Sequence, residues 1–349
     1  MKKHDIFWTA GAVRCTSVTY EDLKFYKEHN LIFINFGIET GSQKMLDIME
    51  KKNTTETIYN VVSNCKKLDI STFSFGFLFG MPGETEKTVK ETAEFRALLS
   101  YVLERDWNVN IAPFLVIAIL GTPLYEYCQQ IRAIGKSLDE EEDYLIRLSE
   151  FDNQRNILNY LNKTNSSTKE VHYWLYLYQY EGKKAYLDLI IKNNKSIKHK
   201  LLQIYKYCIK GIFSNVVFEY NKRKDYYKNK KLSQKMKWYT VLSINFLLSL
   251  SVLFLPKMVL FPIVRFYANM KFYYLHKIHK SKKDKQKYNL FVESRDDPTS
   301  SLRFTENRIT KTSRQIDRSL RRVVTENRKQ MKPAITDEEI GLQILAKGQ

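Results

Sequence analysis

The residues able to do chemistry in this chain sit in two short turns that close apolar runs. The first run, Ile32-Phe33-Ile34-Asn35-Phe36-Gly37-Ile38, ends in Glu39-Thr40-Gly41-Ser42. The second, Phe73 to Phe79, ends in Gly80-Met81-Pro82-Gly83-Glu84-Thr85. Glu39 is an ionisable carboxylate directly after an apolar stretch, a place where burial is costly without a partner. It either caps the following helix or accepts hydrogen bonds from a bound ligand. Gly37 and Gly41 let the backbone come close to such a ligand, although a turn alone also explains them. The Gly80–Thr85 turn is not a P-loop, because no Gly-Lys-Ser/Thr follows the four-residue gap that a phosphate cradle requires. The acidic run Asp139 to Asp143 reads as a solvated loop or helix face, since consecutive carboxylates point in different directions and cannot share one proton-transfer task.

The elements that must position these turns follow from the pattern around them. Each run is short, β-rich, closed by glycine and followed by a helix start, which predicts parallel βα units with their chemistry at the carboxyl ends of the strands. Strands are expected at about 6–14, 32–38, 72–79 and 108–118. Thr19-Tyr20-Glu21-Asp22 has the shape of a capping box, with Asp a poorer partner than Glu or Gln. Ile58, Val61, Val62, Cys65 and Leu68 fall on one face of a helix that opens at Asn53-Thr54-Thr55-Glu56, and that face is core. Four strands cannot close a barrel, so their open edge needs a cover.

Three motifs in order carry a resemblance. Gly37-Ile38-Glu39-Thr40-Gly41-Ser42-Gln43, then Phe79-Gly80-Met81-Pro82-Gly83-Glu84-Thr85, then Leu120-Gly121-Thr122-Pro123-Leu124 resemble the later half of a radical S-adenosylmethionine (SAM) enzyme barrel, in its cobalamin-associated branch. The resemblance covers roughly residues 5–135. It implies an α/β fold holding a partial (β/α) barrel of about four parallel strands, followed by a mostly helical C-terminal region. It also implies SAM as cofactor with a four-iron four-sulfur (4Fe-4S) cluster and, in this branch, cobalamin. The implied chemistry is reductive cleavage of SAM to a 5′-deoxyadenosyl radical, leading to methylation or rearrangement. By the same resemblance Arg14 forks onto the SAM carboxylate, as a guanidinium can, and Glu39 looks toward the amino or ribose groups, with Gly37, Gly41 and Ser42 beside it. Gly76, Leu78 and Gly80 match the strand and turn that pack against adenine. A surface ion pair is the other reading of Arg14. Three departures stand out. Gly83 stands where many members carry an acid, with Glu84 one place later, and Leu120 replaces a proline. The CxxxCxxC loop whose thiolates hold the cluster is missing.

Cys15, Cys65, Cys128 and Cys208 lie far apart in sequence, so they encode neither a cluster loop nor a dense disulfide framework. The alternative to an enzyme is therefore a non-catalytic, membrane-associated remnant or scaffold that has lost the iron–sulfur site, or a truncated gene product. Charge divides the chain. Residues 1–149 carry 17 Lys and Arg against 21 Asp and Glu, whereas residues 220–290 carry 17 against 2. Within the basic segment, Trp238 to Pro256 holds no charged residue, flanked on both sides by lysines. Such flanks predict a hairpin or interfacial helix pair on an anionic membrane surface, with a buried helix of a soluble domain as the other reading. The expected partners are a small apolar or lipid-like substrate and that membrane surface; no RNA- or DNA-binding module is visible, so nucleic acid is not expected. The Tyr-rich stretch around Tyr173, Trp174, Tyr176, Tyr178 and Tyr180 reads as packing or as an apolar cleft. The expected organisation is a partial barrel at 1–135, a helical Tyr-rich region at 136–235, a membrane-surface segment at 236–288 and a polar tail at 289–349. No apolar leader opens the sequence, which places the expected protein in the cytoplasm, peripheral at the inner membrane surface.

Overall fold

The computed structural model describes residues 6–72, 76–107, 113–135, 137, 140–142, 144–145, 160–228 and 230–283. Four short parallel strands follow one another in chain order. β1 (Trp8–Val13) pairs with β2 (Leu31–Phe36), and β3 (Phe77–Phe79) pairs with β4 (Pro113–Leu115). Bridges from Phe33 to Ser71 and from Glu39 to Phe77 join the two pairs. The crossovers are helical: α1 (Tyr20–Glu28), then α2 (Gln43–Ile48) with α3 (Thr55–Lys67), then α4 (Glu86–Val102); α5 (Pro123–Gln130) follows β4. The strands are shorter than expected, and residues 73–75 and 108–112 of the third and fourth expected strands lie outside the described residues. The α/β class and the parallel strands are present.

Local chemistry explains where the helices start. Thr19 accepts from the Asp22 N–H at 3.1 Å while Asp22 Oδ2 accepts from the Thr19 N–H at 2.9 Å, so the shorter acid closes the capping box after all. Thr54, Thr85 and Ser167 cap their helices in the same way through side-chain oxygens. Alternation along the strands then sorts the two faces of the sheet. Ile34, Phe36, Ile38, Phe77, Phe79 and Leu115 are buried. Phe33, Asn35, Gly37, Gly76, Leu78 and Phe114 alternate with them and are only half-buried.

α6 (Thr168–Asn193) is the long helix that covers the strand layer from the α4 side. Gly182 lets it approach closely, because a Cβ there would run into the Arg96 guanidinium. Arg96 is itself buried; it donates to the Gln179 carbonyl at 3.3 Å and lies over the Tyr178 ring, 4.7 Å from its centroid. Tyr178 in turn packs on Phe79 at 4.8 Å and Phe77 at 5.7 Å. Tyr173, Trp174, Tyr178 and Tyr180 are all buried, so the aromatic stretch is packing.

Beyond α6 come α7 (Ile197–Gln203), a π turn (Ile204–Ile209), α8 (Lys210–Lys228), α9 (Leu232–Phe254) and α10 (Lys257–Lys283). The buried Lys183 ammonium of α6 donates to Ser249 Oγ of α9 at 2.8 Å. α10 runs antiparallel to α6, with Lys257 paired to the buried Glu181 and Arg265 paired to Glu170 at 2.9 Å. Among the described residues, α9 is the one helix long and apolar enough to cross a membrane, yet it buries Trp238, Leu248, Ser249 and Val252 against protein.

The described residues up to Val116 together with those of Asn162–Phe272 form one compact unit, and the described residues of Ile117–Leu161 and Tyr273–Lys283 form a second. The second has its own small core of Ala118, Tyr125, Cys128, Ile134 and Tyr144. There the expectation of a solvated acidic run fails at Glu141. That side chain is buried and accepts from the Tyr125 hydroxyl and from Gln129 Nε2, which supply the donors a buried carboxylate needs. Asp139 and Asp143 of that run lie outside the described residues.

Candidate functional site

Backbone bonds tie the carboxyl end of β2 to the end of β1 and to the start of β3. The Gly37 N–H donates to the Val13 carbonyl at 3.2 Å, tying the end of β2 to the end of β1 beside Arg14. The Glu39 N–H donates to the Gly76 carbonyl at 3.0 Å, and its own carbonyl accepts from the Leu78 N–H at 2.7 Å. These two bonds hold Glu39 at φ 66°, a left-handed conformation uncommon outside glycine that costs a non-glycine residue free energy. Its carboxylate pairs with Lys51 at 2.9 Å, and both side chains stay partly exposed. Arg14 is exposed and extended, its carbonyl accepting from Ser17. Arg14, Gly37 and Glu39 thus lie at the ends of β1 and β2, Gly76 and Leu78 are bonded to Glu39 from the start of β3, and Gly80 follows the end of β3.

Gly41 and Ser42 serve a different contact. The Gly41 N–H donates to Thr92 Oγ1 at 3.1 Å, Thr92 Oγ1 shares a bond with Thr40 Oγ1 at 2.9 Å, and Ser42 Oγ donates to Glu91 Oε2 at 2.5 Å. A Cβ at Gly41 would sit 2.5 Å from Phe95 Cβ and 2.9 Å from Thr92 Cα. The polar groups of this turn are therefore engaged with α4.

The Gly80 turn is closed from within. Glu84 is buried and folds back so that its carboxylate accepts from the Gly80 N–H. Burial pushes its carboxyl up to about 8, and the N–H groups of Gly80 and Met81 offset part of that rise. Gly80 (φ 86°) and Gly83 (φ 82°) take left-handed conformations that the turn requires.

Sequence reasoning passed over Asn35. It lies on the half-buried face with Gly37, and its amide oxygen is buried without a hydrogen-bond partner among the described residues. Buried polar atoms are normally satisfied, so an orphan facing an open strand layer marks a place for a donor. The signal in the sequence was an amide at an alternate position of an otherwise apolar run. Gly76, on the same face, has open space where a Cβ would stand. An amino or amide donor on a ligand would satisfy the Asn35 oxygen.

A cluster does not fit the thiols. All four cysteines are buried, and burial pushes Cys15 up to about 11 and Cys65 and Cys208 up to about 12, which keeps them as thiols when a cluster needs thiolates. No group of three His, Cys, Asp or Glu residues able to hold a metal occurs among the described residues. A cavity of about 350 Å³ lined by Lys27, Ile32, Asp69 and Arg105 lies at the amino ends of the strands, away from the turns described above.

Comparison with known proteins finds sequence matches over this amino-terminal region. The profile of the Radical SAM superfamily matches residues 2–96. Over 119 residues the chain is 29% identical to a tRNA-2-methylthio-N(6)-dimethylallyladenosine synthase of Wolbachia pipientis subsp. Culex pipiens, covering 34% of this chain and 24% of that protein. The enzyme of the same name from Ehrlichia chaffeensis is 31% identical over 101 residues, 28% of this chain and 21% of its own length. A Pyrococcus horikoshii protein named as an uncharacterized methyltransferase is 29% identical over 124 residues, 35% of this chain and 25% of its own. The chain thus spans about a quarter or less of the length of these curated relatives. The cobalamin-associated branch is not carried by these matches. Residues 2–96 of this chain are thus similar to the Radical SAM superfamily, a match that covers less than a third of the chain.

Proposed function

We propose that the chain supplies the SAM-holding strand ends of a radical SAM enzyme that methylates or rearranges an apolar substrate. The observation that carries this reading is the half-buried strand face on which the orphan Asn35 oxygen stands with Gly37 and Gly76. In this reading the four parallel strands are an arc of a (β/α) barrel. SAM, when bound, is the source of the methyl or 5′-deoxyadenosyl group. Asn35 accepts a hydrogen bond from the adenine or amino donors, Gly37 and Gly76 leave room for the ring, Leu78 packs against it, and the Arg14 guanidinium pairs with the methionine carboxylate. Glu39, paired with Lys51, accepts from the ribose hydroxyls. The residues of this chain do not supply the cluster, and the reading assigns them no part in reducing SAM. The relatives' names support methyl-group chemistry, while the tRNA those names mention is a property of proteins of which this chain spans a fraction.

The test is equilibrium dialysis of labelled SAM against the full chain, with S-adenosylhomocysteine as competitor. Saturable, competed binding is expected. Gly76→Val fills open space on an ordinary backbone, so it is expected to fold normally and weaken SAM by about tenfold or more, the loss that blocking one close contact brings. Asn35→Leu removes a buried, unsatisfied acceptor, so stability is expected to hold or rise by about 1 kcal/mol while SAM binding falls. Binding that is absent, or indifferent to both changes, would overturn the reading.

A further inference from the structure

We propose that the ridge formed by α7, the π turn and α8 docks on an anionic phospholipid bilayer, with its helices lying in the interface. The exposed side chains Ile197, Leu201 and Tyr205 are spaced four residues apart, and residues at that spacing share one helix face. They are 73%, 62% and 60% exposed. Phe213 and Val217 repeat the spacing on α8 at 55% and 57% exposed, Phe213 with one side of its ring against Phe246 of α9, 5.5 Å between centroids. An unbroken α-helix would rotate Phe213 away from the line of Tyr205. The wider π turn at Ile204–Ile209 takes up the extra residue and returns the second set toward the first. On the other side, Cys208, Gly211 and Ile212 are buried, which holds the ridge against the protein. The apolar line therefore belongs to a supported element and faces outward.

Charge selects the occupant. Between Lys195 and Lys224 the sequence has seven lysines and one arginine against one acid, Glu219. Lys198, Lys200, Lys206 and Lys210 are interleaved with the apolar line. Lysines flanking an exposed line of aliphatic and aromatic side chains suit the boundary between headgroups and acyl chains, where the apolar groups sink and the ammonium groups meet lipid phosphates. A second protein would need acidic complementarity over the whole ridge, and RNA would take the lysines but leave Leu201 and Phe213 in water. The ridge lies on α7–α8, N-terminal to the 236–288 segment for which composition alone predicts membrane contact.

The experiment is co-sedimentation of the full chain with vesicles of phosphatidylglycerol and phosphatidylcholine in equal parts, and with phosphatidylcholine alone, at low and high salt. Binding to the anionic vesicles only, weakened by salt, is expected. Leu201→Glu with Tyr205→Glu, and separately Gln in place of Lys198, Lys200, Lys206 and Lys210, are each expected to weaken it about tenfold or more. Both sets change exposed or half-buried side chains, with Lys206 also giving up its place over the Tyr207 ring, and circular dichroism confirms that they fold. Failure of the wild type to sediment overturns the proposal, as does sedimentation that both variants leave unchanged. RNA binding that needs the lysines but not Leu201 and Tyr205, without vesicle binding, also overturns it and names the other partner. SAM binding is independent of every one of these outcomes.

Discussion

Gly41→Ala is expected to lower the stability of the chain by about 2–3 kcal/mol, the upper range for forcing one extra methyl into a packed contact. The reason is geometric. The new Cβ would stand 2.5 Å from Phe95 Cβ and 2.9 Å from Thr92 Cα, and the second of these is backbone that cannot swing aside. To make room, the turn after β2 must back away from α4. That movement stretches the bond from the Gly41 N–H to Thr92 Oγ1 and disturbs the Thr40–Thr92 pair behind it. Urea unfolding measures the effect as a lower midpoint with an unchanged slope. Gly76→Ala is the internal control. Nothing lies within 4 Å of a Cβ at that position, so its midpoint is expected to stay near the wild-type value. Equal loss at both positions would mean that the α4 contact does not hold the turn as described.

Glu84→Gln is expected to flatten the pH dependence of stability between mild acid and mild base. The carboxyl of Glu84 ionises near 4.5 in an unfolded chain and is pushed up to about 8 by burial in the fold. Between those values the unfolded chain has released the proton while the folded chain keeps it. Stability contributed by this group is therefore present below about 4.5 and is lost as pH rises toward about 8. The slope is at most about 1.4 kcal/mol per pH unit. Glutamine binds no proton and still offers an oxygen to the Gly80 N–H. The variant should match the wild type at pH 5 and exceed it by about 2 kcal/mol or more at pH 8. Thermal or urea unfolding across that range measures it. Parallel curves for the two proteins would show that Glu84 does not titrate in the buried state that its position in the turn implies.

Much of the strand layer was legible because its signals are local. A hydroxyl with an acid three residues on gave the α1 cap, and the apolar runs ending in Gly37 and Gly80 gave β2 and β3. Glu39 and the neighbouring glycines stood out in the sequence for the same reason, as polar turns closing apolar runs. What escaped depended on contacts distant in sequence. Gly41 and Ser42 read as ligand-facing, but Thr92 and Glu91, some fifty residues on, engage them. Glu84 read as an acid displaced by one place, and only the fold shows it turned back onto Gly80. The acidic run lost its solvated character at Glu141 because Tyr125 and Gln129 supply donors that no local pattern announces. The α7–α8 ridge was hidden by its π turn, which breaks the helical period on which amphipathic faces are recognised.

The most direct test of the central claim, that the strand ends hold SAM, is hydrogen–deuterium exchange of the full chain with and without SAM. The account predicts slowed exchange of the amides from Gly37 to Glu39 and from Gly76 to Gly80, with α7 and α8 unchanged. Saturable SAM binding that protects some other part of the chain, or leaves both strand ends exchanging as before, would contradict it.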